Sequence, residues 1–177
     1  MRSVKSIVIA LFSVIAINCF AQETNDYSGF GVPMLRLSSI EADLIPAVGG
    51  FGGVVYKSKI AFGGFGLGYI SEVKPKQGDL IDIGGGGLYF AYIINDHFQV
   101  PILLEWNDLD ITSNDLSIEL EAVSLLPGIE YNYPIREYLR FIVRATYRKS
   151  FIDENDYFNE VDFDGLSISL GVKFGAF

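Results

Sequence analysis

The chain contains almost no cysteine and almost no histidine. Of its 177 residues one is cysteine, Cys19, and one is histidine, His97. A single cysteine cannot close an internal disulfide, and one imidazole cannot supply the several ligands that a zinc-type site requires. The composition therefore excludes a disulfide scaffold and argues against thiol catalysis, and we predict no cofactor, no metal centre and no catalytic constellation.

The chain also has few basic residues and no long apolar run after its first 21 residues. It carries 22 acidic and 13 basic residues, a net charge of −9, which argues against nucleic acid as a partner. Half of its residues are hydrophobic and 14% are aromatic. Because no run of about 18 apolar residues is present in the rest of the chain, a spanning helix is not expected. The hydrophobicity must instead be distributed by alternation along strands.

The N-terminus has the pattern of a secretory signal. Arg2 and Lys5 precede an apolar run over 7–17, and Cys19 and Ala21 occupy the small-residue positions before a cleavage site at Gln22. We predict a signal peptide over 1–21 and one mature domain over 22–177, exported by the Sec route. Lipidation of Cys19 is the alternative, but Asn18 fits a lipobox poorly. Cleavage would leave eleven basic and 22 acidic residues, a net charge of −11.

Residues 166–176 alternate strictly between apolar and small or polar residues, and Phe177 follows one residue out of phase with the apolar row. The apolar positions are Leu166, Ile168, Leu170, Val172, Phe174 and Ala176, and the last residue is Phe177. Such a period of two predicts a strand with one wholly apolar face. A final strand of this kind, with Phe174 and Phe177 near its end, is typical of transmembrane β-barrels.

Seven further segments have strand character and enough residues to cross a bilayer when tilted. We predict eight strands, over 30–40, 43–56, 60–70, 80–94, 98–106, 116–133, 139–151 and 161–177. Tight turns at 57–59, 95–97 and 134–138 alternate with longer polar connections at 71–79, 107–115 and 152–160. The fold predicted is an all-β, eight-stranded, antiparallel, up-and-down barrel, because a closed barrel pairs every backbone group in lipid.

Seven charged residues fall on strand faces opposite apolar rows. If the apolar rows contact lipid, these charges lie inside the barrel, where mixed signs allow them to pair. We interpret them as a salt-bridged core, with a gated polar conduit as the alternative. They are Arg36, Glu105, Glu119, Glu121, Arg144, Arg148 and Lys173.

Other conspicuous patterns have ordinary explanations. Runs such as 49–53, 63–68 and 84–87 are rich in glycine but lack the G-x-G-x-x-G phase, so we interpret them as bends in a tightly curved sheet. His97 lies in a predicted turn. Acidic residues are frequent in the predicted loops at 107–115 and 152–164, but they lack the D-x-[DN]-x-[DN]-G spacing of calcium-binding loops. We expect these residues to be solvated, and binding of divalent cations stays open. Aromatic residues near predicted strand ends suggest interfacial girdles: Tyr56, Tyr69, Tyr92, Trp106, Tyr131, Tyr133 and Tyr147.

Several stretches resemble a family of small outer-membrane β-barrel proteins of Bacteroidota. They are GGFGGVVYKSKIAFGGFGLGY at 49–69, GGGGLYFAYIINDHFQVPILLEW at 84–106, the Pro-Gly-Ile-Glu-Tyr-Asn stretch at 127–132 and Lys-Phe-Gly-Ala-Phe at 173–177. The resemblance implies location in the outer membrane, contact with its lipid, and insertion by the barrel-assembly machinery, which recognises a terminal aromatic strand. It supplies no catalytic residues.

Three functional interpretations remain open from the sequence. The first is a non-enzymatic outer-membrane barrel that is structural or interacts through its acidic loops. The second is a small transport barrel for a hydrophobic molecule or small solute. The third is a secreted lipocalin-like binder, in which Arg144 and Arg148 would face water and the apolar row from Leu139 to Tyr147 would line a cavity.

Overall fold

The computed structural model describes residues 26–40, 43–70, 80–113, 116–152 and 164–175, of which 40, 43, 80–83, 109–113, 116–120 and 152 are described by their backbone alone. These residues form eight β-strands in chain order. They are β1 (Tyr27–Ile40), β2 (Asp43–Tyr56), β3 (Ile60–Tyr69), β4 (Leu80–Ile93), β5 (Phe98–Ser113), β6 (Leu116–Arg136), β7 (Leu139–Ile152) and β8 (Gly165–Gly175).

The strands close into a single antiparallel barrel. Each strand pairs with the next along the chain, and β1 pairs with β8. The predicted eight-stranded fold is therefore confirmed. No α-helix in the described part of the chain is long and apolar enough to span a membrane.

Several predicted boundaries were wrong. The polar segment 107–115 is mostly strand, because β5 continues to Ser113 and pairs with β6 up to Leu116. The turn predicted at 134–138 is shorter, since β6 runs to Arg136. β8 begins at Gly165, four residues later than predicted. Cross-strand hydrogen bonding thus extends strands through polar residues that sequence alternation alone marks as loops.

The three tight turns lie at one end of the barrel, which we call the turn end. The opposite end, which we call the loop end, is formed by the strand ends at Ile40, Asp43, Tyr69, Leu80, Ser113, Leu116, Ile152 and Gly165. Between β2 and β3, Lys57 and Ser58 have φ values of 49° and 53°, and the amide of Lys59 bonds to the carbonyl of Tyr56 at 3.0 Å. This is the type I′ geometry that suits a twisted hairpin. It strains two non-glycine residues by about 1–2 kcal/mol each.

Successive side chains point alternately into and out of the barrel. Along β7, Ile142, Arg144, Thr146 and Arg148 are buried, whereas Phe141, Val143, Ala145 and Tyr147 are exposed. The same alternation of buried and exposed residues runs through β5 and β8. The lipocalin-like alternative is therefore wrong, because it required the arginines outside and the apolar row inside.

An apolar core fills much of the interior, which we call the lumen. Its aromatic members Phe30, Phe51 and Tyr89 contact one another with ring centroids 4.8–6.0 Å apart. The described members of the core are Phe30, Val32, Met34, Phe51, Val55, Ala61, Phe65, Leu67, Tyr89, Ala91, Leu103, Leu126 and Ile142.

Close approach of backbones requires glycine where β2 meets β3. Gly53 and Gly63 are register partners, and a Cβ on Gly53 would overlap the carbonyl oxygen of Phe62. A Cβ on Gly63 would likewise overlap the carbonyl oxygen of Gly52. At these positions glycine is a steric requirement, in agreement with the interpretation of the glycine runs as features of a tightly curved sheet.

This requirement gives a testable difference between two glycines of the same hairpin. Gly53→Ala should lower the free energy of unfolding by about 1–3 kcal/mol, because a backbone carbonyl must move. Gly66→Ala is the control, since a Cβ there meets nothing within 4 Å and its cost should stay below about 0.5 kcal/mol. Urea unfolding of the refolded protein measures both. Equal losses for the two variants would contradict the steric explanation.

Candidate functional site

The buried charged side chains that the structure describes lie in two clusters in the lumen. We define the loop-end cluster as Arg36, Ser38, Tyr69, Glu105 and Arg148, and the turn-end cluster as Tyr89, Gln99, Glu130, Arg144 and Lys173. Along β5, the fully buried Leu103 lies between Gln99 of one cluster and Glu105 of the other. The two clusters are therefore separated by apolar packing.

In the loop-end cluster one carboxylate is shared by two guanidinium groups. Arg36 Nη1 lies 2.5 Å from Glu105 Oε2, and Arg148 Nη2 lies 3.4 Å from Glu105 Oε1. Arg148 Nη2 also donates to the Tyr69 hydroxyl at 2.6 Å and to Ser38 Oγ at 3.4 Å. Since Tyr69 is the last residue of β3, Arg148 connects the end of that strand to the charged core.

In the turn-end cluster Glu130 accepts from two side chains. Arg144 Nε donates to Glu130 Oε2 at 2.7 Å, and Arg144 Nη2 lies 2.5 Å from the same oxygen. Gln99 Nε2 donates to Glu130 Oε1 and, at 3.0 Å, to the Tyr89 hydroxyl. Glu130 and Arg144 face each other across β6 and β7, so the register itself brings the pair together.

Aromatic rings cover the cationic groups of the lumen. The Arg144 guanidinium carbon lies 4.1 Å from the Phe51 ring centroid and 5.0 Å from that of Tyr89. Lys173 Nζ lies 4.7 Å above the Phe30 ring. Such cation–π contacts stabilise positive charge where water is excluded. The ion pairs and the aromatic core thus form one continuous packed interior.

Positive charge exceeds negative charge among the buried side chains that the structure describes. Four buried residues are cationic (Arg36, Arg144, Arg148 and Lys173), and two are anionic (Glu105 and Glu130). Within the same described set, Arg36 Nε, Arg144 Nη1 and Arg148 Nε are buried N–H groups without a hydrogen-bond acceptor. Because the buried cations already outnumber the buried carboxylates in this set, loss of a carboxylate should cost more than loss of a cation.

The structure buries five of the seven charged residues predicted to lie inside. Arg36, Glu105, Arg144, Arg148 and Lys173 are at most 3% exposed. Glu121 was predicted wrongly: it is exposed on the outer face, because its position in β6 has the same parity as Leu125, Ile129 and Tyr131, which point outward. The side chain of Glu119 lies outside the described residues.

Sequence reasoning missed Glu130, Gln99 and Tyr89 as members of the buried network. The signal for Glu130 was present, because Ile129, Tyr131 and Tyr133 form an apolar row that places Glu130 and Asn132 on the opposite face. Nothing in the local pattern distinguishes Gln99 as a buried hydrogen-bonding residue from any polar residue of a half-buried strand.

At the loop end Asp164 connects the start of β8 to β7. Its carboxylate accepts from Lys149 Nζ and from the amide of Ser150, both at 2.8 Å. Burial opposes its ionisation, but the hydrogen bonds from Lys149 and Ser150 outweigh burial and hold the pKa of the Asp164 carboxyl below its usual value. The stabilisation is therefore present at neutral pH and is lost as the pH falls through that lowered pKa.

Acidic residues from β5 and β6 also face each other near the loop end. Asp108 and Glu121 are register partners and both are exposed. By backbone register Asp82 of β4, Asp110 of β5 and Glu119 of β6 are neighbours, two residues closer to the loop end than Asp108 and Glu121. No group of three or more potential metal ligands occurs among the described side chains. The acidic segment 153–163 lies outside the described residues, as does Phe177 of the predicted terminal pair.

The remaining predicted features have clear positions. Phe174 points outward and is 40% exposed. His97 lies in the β4–β5 turn, where its Nδ1 is 3.2 Å from the carbonyl oxygen of Asn132 and its ring stacks on that of Tyr131. Tyr69, predicted to belong to an aromatic girdle, instead contacts Arg148 inside the barrel. The exposed aromatic residues of the predicted girdle are Tyr92, Trp106, Tyr131, Tyr133 and Tyr147.

Three solved structures resemble the chain in fold. The N-terminal β-barrel domain of Pseudomonas aeruginosa OprF is 13% identical, with a TM-score of 0.53 over 84% of this chain and 96% of that one. The attachment invasion locus protein Ail of Yersinia pestis is 12% identical, with a TM-score of 0.53 over 85% and 98%. Neisserial surface protein A is 10% identical, with a TM-score of 0.54 over 84% and 96%.

These similarities show that the chain has the fold of the eight-stranded outer-membrane barrels. No protein-family model matches the chain, and no curated protein sequence matches it either. The assignment to Bacteroidota is not supported by the comparisons.

Proposed function

We propose that the protein is an integral outer-membrane barrel without enzymatic activity, whose role is structural or interactive at its loop end. The observation that carries this proposal is the inverted distribution of side chains. Arginine, glutamate and lysine are buried in the lumen, while large apolar residues such as Leu35, Leu88 and Ile129 are about half exposed on the outside. In water such a surface would be a large apolar patch, whereas in a bilayer it is solvated by lipid.

The two ends of the barrel differ in charge, which supports an orientation. Among the described residues, the turn end carries four basic residues (Lys57, Lys59, Arg136 and Arg140) against three acidic ones (Asp26, Asp96 and Glu137), whereas the loop end carries the basic Lys149 against the acidic Asp108, Glu121 and Asp164. Short turns face the periplasm in bacterial outer-membrane barrels. In this orientation the acidic strand ends and loops face the outside and are available to a cationic partner or to divalent cations.

Membrane integration is tested by fractionation and by refolding. The protein should remain with outer membranes after a carbonate wash, and the mature chain should fold in lipid vesicles or detergent but not in plain buffer. Folding is read from the heat-dependent gel shift typical of such barrels. A monomer that folds in plain buffer would contradict the proposal.

A closed lumen predicts the absence of steady conduction. Glu105, Glu130 and Arg144 are inaccessible to water, and the apolar core separates the two charged clusters. We therefore expect the refolded wild-type protein in planar bilayers to show little steady conductance. Large, stable, ion-selective openings would instead favour the transport interpretation, with the two clusters as its gate.

A further inference from the structure

The β2–β3 turn combines strained backbone with two exposed lysines at the edge of the outer apolar face. Lys57, Ser58 and Lys59 are all exposed, and the left-handed conformations of Lys57 and Ser58 would suit Asn-Gly far better. Strained conformations that persist where a relaxed sequence is available often mark binding or switching sites. The turn is therefore a candidate for a role beyond reversal of the chain.

The surroundings of the turn indicate the chemistry of its partner. The rings of Tyr27 and Tyr56 lie 4.9 Å apart at the adjoining strand ends, and Lys57 Nζ lies 5.2 Å from the Tyr56 ring centroid. Neither lysine forms an ion pair with a carboxylate of the described residues. The site thus offers two ammonium groups beside a pair of amphipathic rings.

The same turn adjoins the apolar outer surface. Phe62, three residues beyond Lys59, is 46% exposed and is paired by register with Val54 and Phe90, whose side chains also point outward. Tyrosine and lysine side by side at the border of an apolar face match the headgroup level of a bilayer. A ligand that contacts the lysines therefore lies where lipid phosphates lie.

We propose that the turn Tyr56–Lys59, together with Tyr27, binds the headgroup phosphate of an anionic phospholipid. Lys57 and Lys59 supply positive charge, the Ser58 hydroxyl supplies a hydrogen-bond donor, and the tyrosine pair contacts the glycerol and upper acyl region. The turn places both lysines next to each other at the turn end of the barrel. This proposal rests on the membrane location proposed above and adds a lipid class to it.

The proposal is tested by lipid titration of the folded full-length mature protein. Native mass spectrometry from detergent micelles measures retention of phosphatidylglycerol, with phosphatidylcholine as the neutral reference lipid. A basic residue near a membrane surface contributes about a five-fold gain in affinity for anionic lipid. Lys57→Gln with Lys59→Gln should therefore weaken phosphatidylglycerol retention by about 25-fold and leave phosphatidylcholine retention unchanged.

Lys149→Gln is the control, because it removes a half-exposed lysine, the ion-pair partner of Asp164, at the opposite end of the barrel. It should leave phosphatidylglycerol retention within about two-fold of wild type. The heat-dependent gel shift verifies that each variant is folded, which separates loss of the lipid site from failure of membrane integration. Equal retention of the two lipids by the wild type, or equal weakening by the control, would overturn the proposal.

Discussion

Glu130→Gln should lower the free energy of unfolding by about 3–5 kcal/mol, because it leaves the buried Arg144 guanidinium without its carboxylate. Glu130 is inaccessible to water and pairs with Arg144, while Gln99 donates to its second oxygen. Urea unfolding in vesicles, followed by the fluorescence of the chain's one tryptophan, Trp106, measures the effect. Glu137→Gln, at an exposed position in the adjacent turn, is the control and should cost less than about 0.5 kcal/mol.

The surplus of buried cations makes a second comparison informative. Arg144→Met also breaks the pair, but it keeps much of the side-chain volume against Phe51 and Tyr89, leaves Glu130 with the hydrogen bond from Gln99 and lowers the excess positive charge of the lumen. Its cost should therefore be smaller than that of Glu130→Gln. A larger loss for Arg144→Met would contradict the argument from charge balance, and a negligible loss for both would show that the pair is solvated.

Leu170→Arg should destabilise the protein in vesicles by about 2–4 kcal/mol, because it places a guanidinium in the middle of the apolar surface that we propose faces lipid. Leu170 is 45% exposed and is paired by register with Leu35 and Val143. Leu166→Arg is the control on the same strand and the same face. Leu166 is 65% exposed, next to the first residue of β8, and its variant should cost at most about 1 kcal/mol.

The difference between these two variants separates lipid from water as the surrounding medium. In water, arginine at either exposed position would be tolerated equally, since both side chains point away from the barrel into solvent. In a bilayer the cost depends on depth, because hydration of the charged group is available only near the interface. Equal stability of the two variants in vesicles would contradict a membrane-spanning β8.

Alternation predicted the faces of β5, β7 and β8 correctly because each of these strands carries an unbroken apolar row. It failed for Glu121, because polar and apolar residues do not alternate regularly along the loop-end half of β6. The outward direction of Glu121 follows only from its even spacing to Leu125 and Ile129, which point outward. It also failed at the end of β5, where cross-strand pairing with β6 continues the strand to Ser113. Polar residues can remain in strand wherever a neighbouring backbone supplies the hydrogen bonds.

By itself the sequence determined the number of strands, the all-β class and the identity of most buried charges, because a period of two is a local property. The tertiary structure alone decided which charges meet. Arg36 and Glu105 are 69 residues apart, and Arg148 of β7 contacts Tyr69 of β3 and Ser38 of β1. These partners depend on closure and on strand register, which are set by all eight strands together.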